Sequence, residues 1–161
     1  DSLAGAVRNE YPGVELIAGV ATGAIAPGVL VAERLQLPFV YVRSTPKAHG
    51  LGARVEGFAA EGLKTVVIED LVSTAGSSIL ACDALKADKL KVLGMAAIFT
   101  YDLDMAEQNL KKAGIPLITL SNYHDLVWLA KSKGMITDEE QAALMQWRLN
   151  PSSWSDARQH N

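Results

Sequence analysis

The sequence predicts an α/β fold: a doubly wound, parallel, five-stranded sheet flanked by helices, with one flexible loop. Apolar, β-branched runs alternate with helical patterns along the chain, and parallel strands need helical crossovers of that kind. The run Val66-Val67-Ile68 is continuously apolar rather than alternating, as in strands buried on both faces. Loops of small residues follow the runs directly, at the carboxyl ends of strands where open α/β sheets bind their ligands.

Taken in order, Asp1-Ser2-Leu3-Ala4 opens a helical pattern that precedes the first strand, residues 15–18. The small residues Ala18-Gly19-Val20-Ala21-Thr22-Gly23 lead into a helix over residues 24–35. Such a loop lets a diphosphate approach backbone amides. A tight strand-to-helix turn needs the same residues, and the sequence leaves both readings open. A second strand covers residues 39–43, and Pro46, Gly50, Gly52 and Gly57 then punctuate a loop.

The third strand covers residues 66–69 and meets a helix over 77–87 through a loop of small residues. Strands at 92–100 and 117–120 alternate with helices at 105–113 and 122–133. Crossovers of this type are right-handed almost without exception. Trp128 and Leu129 fall at core-like spacing, and His124 reads as a satisfied structural residue. Thr137-Asp138-Glu139-Glu140 forms a capping box for a last helix running towards Arg148, stopped by Asn150-Pro151. Trp147 and Leu144 are expected to pack onto the sheet, and residues 156–161 form a polar tail.

Composition sets the outer limits. A chain of 161 residues with 49% hydrophobic content suffices for one compact domain, expected over residues 1–161. The net charge of −3 leaves no global basic footprint for nucleic acid. The lone Cys82 excludes an intramolecular disulfide, suits a reducing cytoplasmic setting, and reads as core packing rather than a nucleophile. No run approaches membrane-spanning length, and there is no internal repeat.

Residues 64–78 read KTVVIEDLVSTAGSS. A buried strand ends at two carboxylates, Glu69 and Asp70, and Ser73-Thr74-Ala75-Gly76-Ser77-Ser78 opens a helix. Hydroxyls and unencumbered backbone N–H groups at a helix N-terminus favour an anion. Phosphate alone would not want the two acids, but a phosphorylated sugar would, because carboxylates accept from ribose hydroxyls and help hold Mg²⁺. No Gly-Lys-Ser/Thr follows the glycine, so this is not a Walker loop. The stretch resembles the phosphoribosyl diphosphate signature of type I phosphoribosyltransferases.

Residues 39–57, FVYVRSTPKAHGLGARVEG, gather Arg43, Lys47, His49 and Arg54 against one acid, Glu56. Arg grips phosphate through a planar fork, Lys adds a point charge and His a further donor. The pattern Arg43-x-x-x-Lys47-x-His49-Gly50, closing on Glu56-Gly57, resembles the mobile catalytic loop of orotate phosphoribosyltransferases, here about residues 44–56. The resemblance runs from about Gly13 to Trp147.

That resemblance implies transfer of the 5-phosphoribosyl group from phosphoribosyl diphosphate to orotate, with Mg²⁺ as cofactor. Arg43, Lys47 and His49 would be catalytic and grip the diphosphate. Glu69, Asp70, Leu71, Val72, Ser73, Thr74, Ala75, Gly76 and Ser77 would complete the phosphoribosyl diphosphate site. Ser73 would also touch orotate, and Mg²⁺ would be held through diphosphate and ribose, with Asp70 the candidate direct contact. A homodimer with shared active sites is implied, and neither a membrane nor nucleic acid as partner.

The chain departs from the family pattern at several points. Gly23 stands where some members place a lysine, Ser44-Thr45 where some carry a second one, and Ala75 where glycine is common. The methyl of Ala75 is expected to require a negative φ. Family members also carry an N-terminal hood with aromatic and lysine residues that helps form the orotate pocket, and the expectation is a core domain without it. The rival readings are a purine phosphoribosyltransferase and a non-catalytic sensor of phosphoribosyl diphosphate. The Arg43/Lys47/His49 loop argues against the sensor, which needs no closing lid.

Overall fold

A computed structural model describes residues 1–43, 54–151 and 154. Six helices and six strands follow one another as α1 (Ser2–Glu10), β1 (Leu16–Val20), α2 (Ile25–Leu35), β2 (Phe39–Val42), β3 (Val55–Glu56), β4 (Lys64–Val72), α3 (Gly76–Ala87), β5 (Lys91–Thr100), α4 (Asp104–Ala113), β6 (Leu117–Asn122), α5 (Tyr123–Ser132) and α6 (Asp138–Leu149). The strands form one sheet in the order β3-β2-β1-β4-β5-β6. All neighbours are parallel except β2 and β3.

The expected five parallel strands are present, and a sixth joins them. β3 pairs antiparallel to β2, with Tyr41 opposite Glu56 and Val42 opposite Val55. Two residues are too few to leave a periodic signal, so the sequence reads them as part of the loop. The expected mobile segment 44–56 thus keeps its last two residues in the sheet, and residues 44–53 lie outside the described ones.

β1 and β4 form the centre. Leu16, Ile17 and Ala18 of β1 and Val66, Val67 and Ile68 of β4 are fully buried, which is why both read as unbroken apolar runs. Helices α1 and α2 pack together over one face, against β5 and β6 and against β1, β2 and β4 respectively, and α3 and α4 pack together over the other. Cys82 and Leu85 of α3 are fully buried in this second layer. Burial pushes the Cys82 thiol up to about 12, which keeps it an inert core residue.

Three expectations at the carboxyl-terminal end are corrected. Trp128 and Leu129 are 62% and 45% exposed, because α5 lies beyond the edge strand and buries only Tyr123 and Val127. His124 is exposed on the first turn of that helix, 3.8 Å from Asp125. Trp147 packs not on the sheet but on Tyr101 and Tyr123, at ring separations of 5.5 and 5.2 Å. The capping box of α6 is formed as expected, with Thr137 Oγ1 accepting from the Glu140 N–H and Glu140 returning the bond to the Thr137 N–H.

The contact between α2 and β1 places the first loop. A Cβ at Gly28 would lie 2.7 Å from the Phe39 ring and 3.3 Å from Gly19 Cα, and one at Gly19 would lie 2.6 Å from the Ala24 carbonyl oxygen. The helix therefore approaches the strand at a distance that only glycines permit, with Phe39 of β2 filling the space beside them. Gly28→Val should destabilise the fold by about 2 kcal/mol or more in urea unfolding, since overpacking outweighs the few tenths gained in helix propensity. Adding Phe39→Leu should recover part of that loss. A strictly additive double variant would show that Phe39 is not the obstacle.

Candidate functional site

The chain leaves β1 towards β2 on one side and returns to β4 on the other, so the strand order reverses between β1 and β4. Ligands in such sheets bind at this crevice, outside the carboxyl ends of the strands. A cavity of about 210 Å³ opens there, lined by Val20 to Gly23 after β1, Arg43 after β2, Glu69 to Leu71 of β4, and Ser77, Leu80 and Ala81 of α3. Gly19 pairs with Ile68 in register, so the loop after β1 emerges beside the acidic pair.

β4 runs past the expected end, to Val72. Glu69 and Asp70 are therefore neighbours within a strand and point to opposite faces. Glu69 is 4% exposed and accepts a hydrogen bond from Ser78 Oγ at 2.5 Å. Burial pushes its carboxyl up to about 7; the Ser78 hydrogen bond opposes that rise and the Asp70 charge adds to it. Asp70 is exposed, and its Oδ1 accepts from the Leu71 N–H at 2.9 Å. A Cβ at Gly23 would lie 1.9 Å from Asp70 Oδ2. The carboxylate occupies the space that a side chain at residue 23 would need, so the missing side chain at Gly23 and the position of Asp70 are one feature.

Ala75 is the N-cap residue of α3 and adopts a left-handed conformation, φ 64°. The expectation of a negative φ is wrong. A methyl in that region costs about 1–2 kcal/mol, and the fold holds it in place with Ala75 buried at 3% exposure. Alanine has no side-chain acceptor and no cap hydrogen bond forms, so the amides of the first turn are left for another acceptor. By contrast, α5 is capped by Asn122, whose Oδ1 accepts from the Asp125 N–H at 2.8 Å.

Of the other expected residues, Ser73, Thr74, Gly76 and Ser77 are exposed around this turn. Leu71 is 40% exposed at the cavity. Val72 is buried at 1% exposure, and its carbonyl accepts from the Tyr101 N–H, so it offers the cavity no side chain. Arg43 reaches the cavity from the end of β2, 3.6 Å from Glu56. Lys47 and His49 lie outside the described residues. Two contacts escaped sequence reasoning. Asn109 of α4 donates to the Thr74 carbonyl at 3.0 Å and ties down the loop, and Ser78 holds Glu69. Neither belongs to a local pattern, because each acts across a distance in sequence.

Among the described residues no cluster of three or more His, Cys, Asp or Glu could hold a metal ion. A cation such as Mg²⁺ rests on one or two carboxylates and on substrate phosphates; the exposed Asp70 has the chemistry for that role, whereas Glu69 is engaged by Ser78. A larger cavity of about 700 Å³ lies past β5 and β6. Arg148 on its wall donates to the Asp102 backbone carbonyl, and it lacks the acidic pair.

Comparison with known proteins agrees with this geometry. Residues 3–122 match the family described as phosphoribosyl transferase domain. An orotate phosphoribosyltransferase of Bacteroides fragilis is 49% identical over 152 residues, covering 94% of this chain and 72% of that protein. The UMP synthase of Leishmania donovani superposes with a TM-score of 0.76 at 24% identity, over 91% of this chain and 31% of that one. The orotate phosphoribosyltransferase of Aeropyrum pernix superposes at 0.67 and 24% identity, over 84% of this chain and 77% of that one. The likeness to the solved structures bears on the fold alone. With the family match across most of the chain and near-half identity to a relative it largely spans, the chain belongs to the orotate phosphoribosyltransferases, within the phosphoribosyl transferase domain family.

Proposed function

We propose that the chain transfers the 5-phosphoribosyl group of phosphoribosyl diphosphate to orotate, giving orotidine 5′-monophosphate and diphosphate. The observation that carries this reading is the cavity at the β1–β4 reversal, where a buried and an exposed carboxylate adjoin an uncapped helix start. The C1–O bond to diphosphate breaks, a ring N–H nitrogen of orotate bonds to C1 as its proton passes to the departing diphosphate, and the configuration there inverts. The ribose passes through an oxocarbenium-like state, so no covalent nucleophile is needed; the protein must hold, neutralise and exclude water.

The 5′-phosphate falls to Ser73, Thr74, Ala75, Gly76 and Ser77, and the ribose hydroxyls to Glu69 and Asp70. Ser73 lies on the side of orotate. Arg43 grips the diphosphate together with Lys47 and His49. Asp70 would be the residue to hold Mg²⁺, which would supply charge neutralisation. The family resemblance also favours a cytoplasmic homodimer in which each 44–56 segment serves the neighbouring site. No helix among the described residues is long and apolar enough to cross a membrane. Identity of 49% to an orotate enzyme favours orotate over a purine base.

Calorimetry with Mg²⁺ should give saturable heat for phosphoribosyl diphosphate, and the loaded protein should then bind orotate and not adenine. Preference for adenine would overturn the choice of base; absence of sugar diphosphate binding would overturn the site. Lys47→Ala should lower kcat about 10²-fold while changing the KM for phosphoribosyl diphosphate far less, because its contact tightens as the diphosphate leaves. An unchanged kcat would remove Lys47 from the reaction.

The raised carboxyl of Glu69 sets a pH dependence. Its folded-state value of about 7 exceeds the ordinary 4.5, so its contribution to stability is full below about 4.5 and is lost as pH rises through 7. Glu69→Gln stays neutral throughout. The melting temperature of the variant should therefore gain on that of the native chain between pH 5 and 8. A constant difference across that window would mean that Glu69 is already ionised in the fold.

A further inference from the structure

We propose that Ser78 is a positioning residue of the phosphoribosyl diphosphate site: its hydroxyl holds the Glu69 carboxylate in the orientation in which it lines the cavity and meets the ribose. The inference rests on the reading of the cavity given above and adds to it a residue beyond the signature loop, whose last expected member is Ser77.

Three observations carry it. Ser78 is 1% exposed and its Oγ lies 2.5 Å from Glu69 Oε1, so the bond is sheltered from water. Glu69 lines the cavity, yet the strand positions before it, Val66, Val67 and Ile68, are fully buried and apolar. An acid at that place is costly unless its lone pairs are satisfied. The protein offers it the Ser78 hydroxyl and the Asp70 backbone N–H. Among the described residues no positive side chain is paired with it: Arg43 also lines the cavity but is within ion-pair distance of Glu56. One turn further along α3, Cys82 is fully buried, which places Ser78 on the inward face of the helix.

A side chain kept only for packing would be served by an apolar residue at either position. A hydroxyl clamped on a carboxylate that faces a cavity fixes a rotamer instead, and carboxylate–ribose hydrogen bonds demand such fixing. Because Ser78 sits in the first turn of α3, the same helix presents its amides to the phosphate end and its serine to the acid. One rigid element then sets the spacing between the two ends of the ribose phosphate.

The test is a double-mutant cycle on phosphoribosyl diphosphate binding, measured calorimetrically with Mg²⁺ for the native chain, Ser78→Ala, Glu69→Gln and the pair. Ser78→Ala should weaken binding about tenfold, equivalent to about 1.4 kcal/mol, and should weaken it no further once Glu69 is Gln. Ser78→Cys keeps the volume with a weaker donor and should fall on the side of Ala, which preserves the test if Ala unfolds the helix. Equal losses in both backgrounds, or unchanged binding by both Ser78 variants, would overturn the inference while leaving the site intact. A native chain that binds no phosphoribosyl diphosphate would overturn the site reading, and the inference with it.

Discussion

The structure depends on how closely α2 can approach β1. Gly19 and Gly28 bring the helix against the strand, and Phe39 closes the remaining space. That contact fixes the direction in which residues 20–23 leave the sheet. Their position beside β4 in turn decides where the Asp70 carboxylate can lie, since it rests over Gly23. A strand reversal alone creates a crevice; its floor is shaped by these absent side chains. Small residues here leave the backbone itself exposed to the crevice.

Three features that oppose stability lie at this same place. Glu69 is buried with its carboxyl pushed up to about 7, Ala75 takes a left-handed conformation, and α3 begins without a side-chain cap. The starts of α5 and α6 carry side-chain caps, Asn122 and the Thr137 capping box, whereas α1, α2 and α4 start without one, as α3 does. At the cavity an uncapped start has a physical use. A group already satisfied within the fold has nothing left to give a ligand, so a phosphate-sugar site needs amides and carboxylates that are incompletely served until the ligand arrives.

Much of this was legible in the sequence, and the rest was hidden for identifiable reasons. The runs at Val66-Val67-Ile68 and around Ile17 announce the buried central strands because parallel strands carry apolar residues on both faces. The glycine and serine loops announce strand ends. What failed were matters of tertiary context. Trp128 and Leu129 have core spacing, but the sheet ends before α5 can bury them. The two residues of β3 are too short for periodicity. The negative φ expected of Ala75 followed local cost, and the surrounding fold overrode it. The contacts of Ser78 and Asn109 were invisible because each acts through a partner nine and thirty-five positions away.

The charges around the cavity divide the work of the site. Among the described residues that line it, two carboxylates face one cation, Arg43, a balance that by itself repels a polyanion. On the proposed reading the phosphate end would be met by amides and hydroxyls at the start of α3, which need no formal charge. The acids suit the neutral, hydroxyl-bearing middle of the substrate. The diphosphate end is left needing positive charge that the sheet does not supply, and Lys47 and His49 in the 44–53 segment, with a divalent cation, have the chemistry to supply it. Such an arrangement concentrates positive charge at the one group that must leave. Charge brought to a leaving diphosphate stabilises the transition state more than the bound substrate, whereas the same charge built permanently into the cavity would also hold the product diphosphate in place.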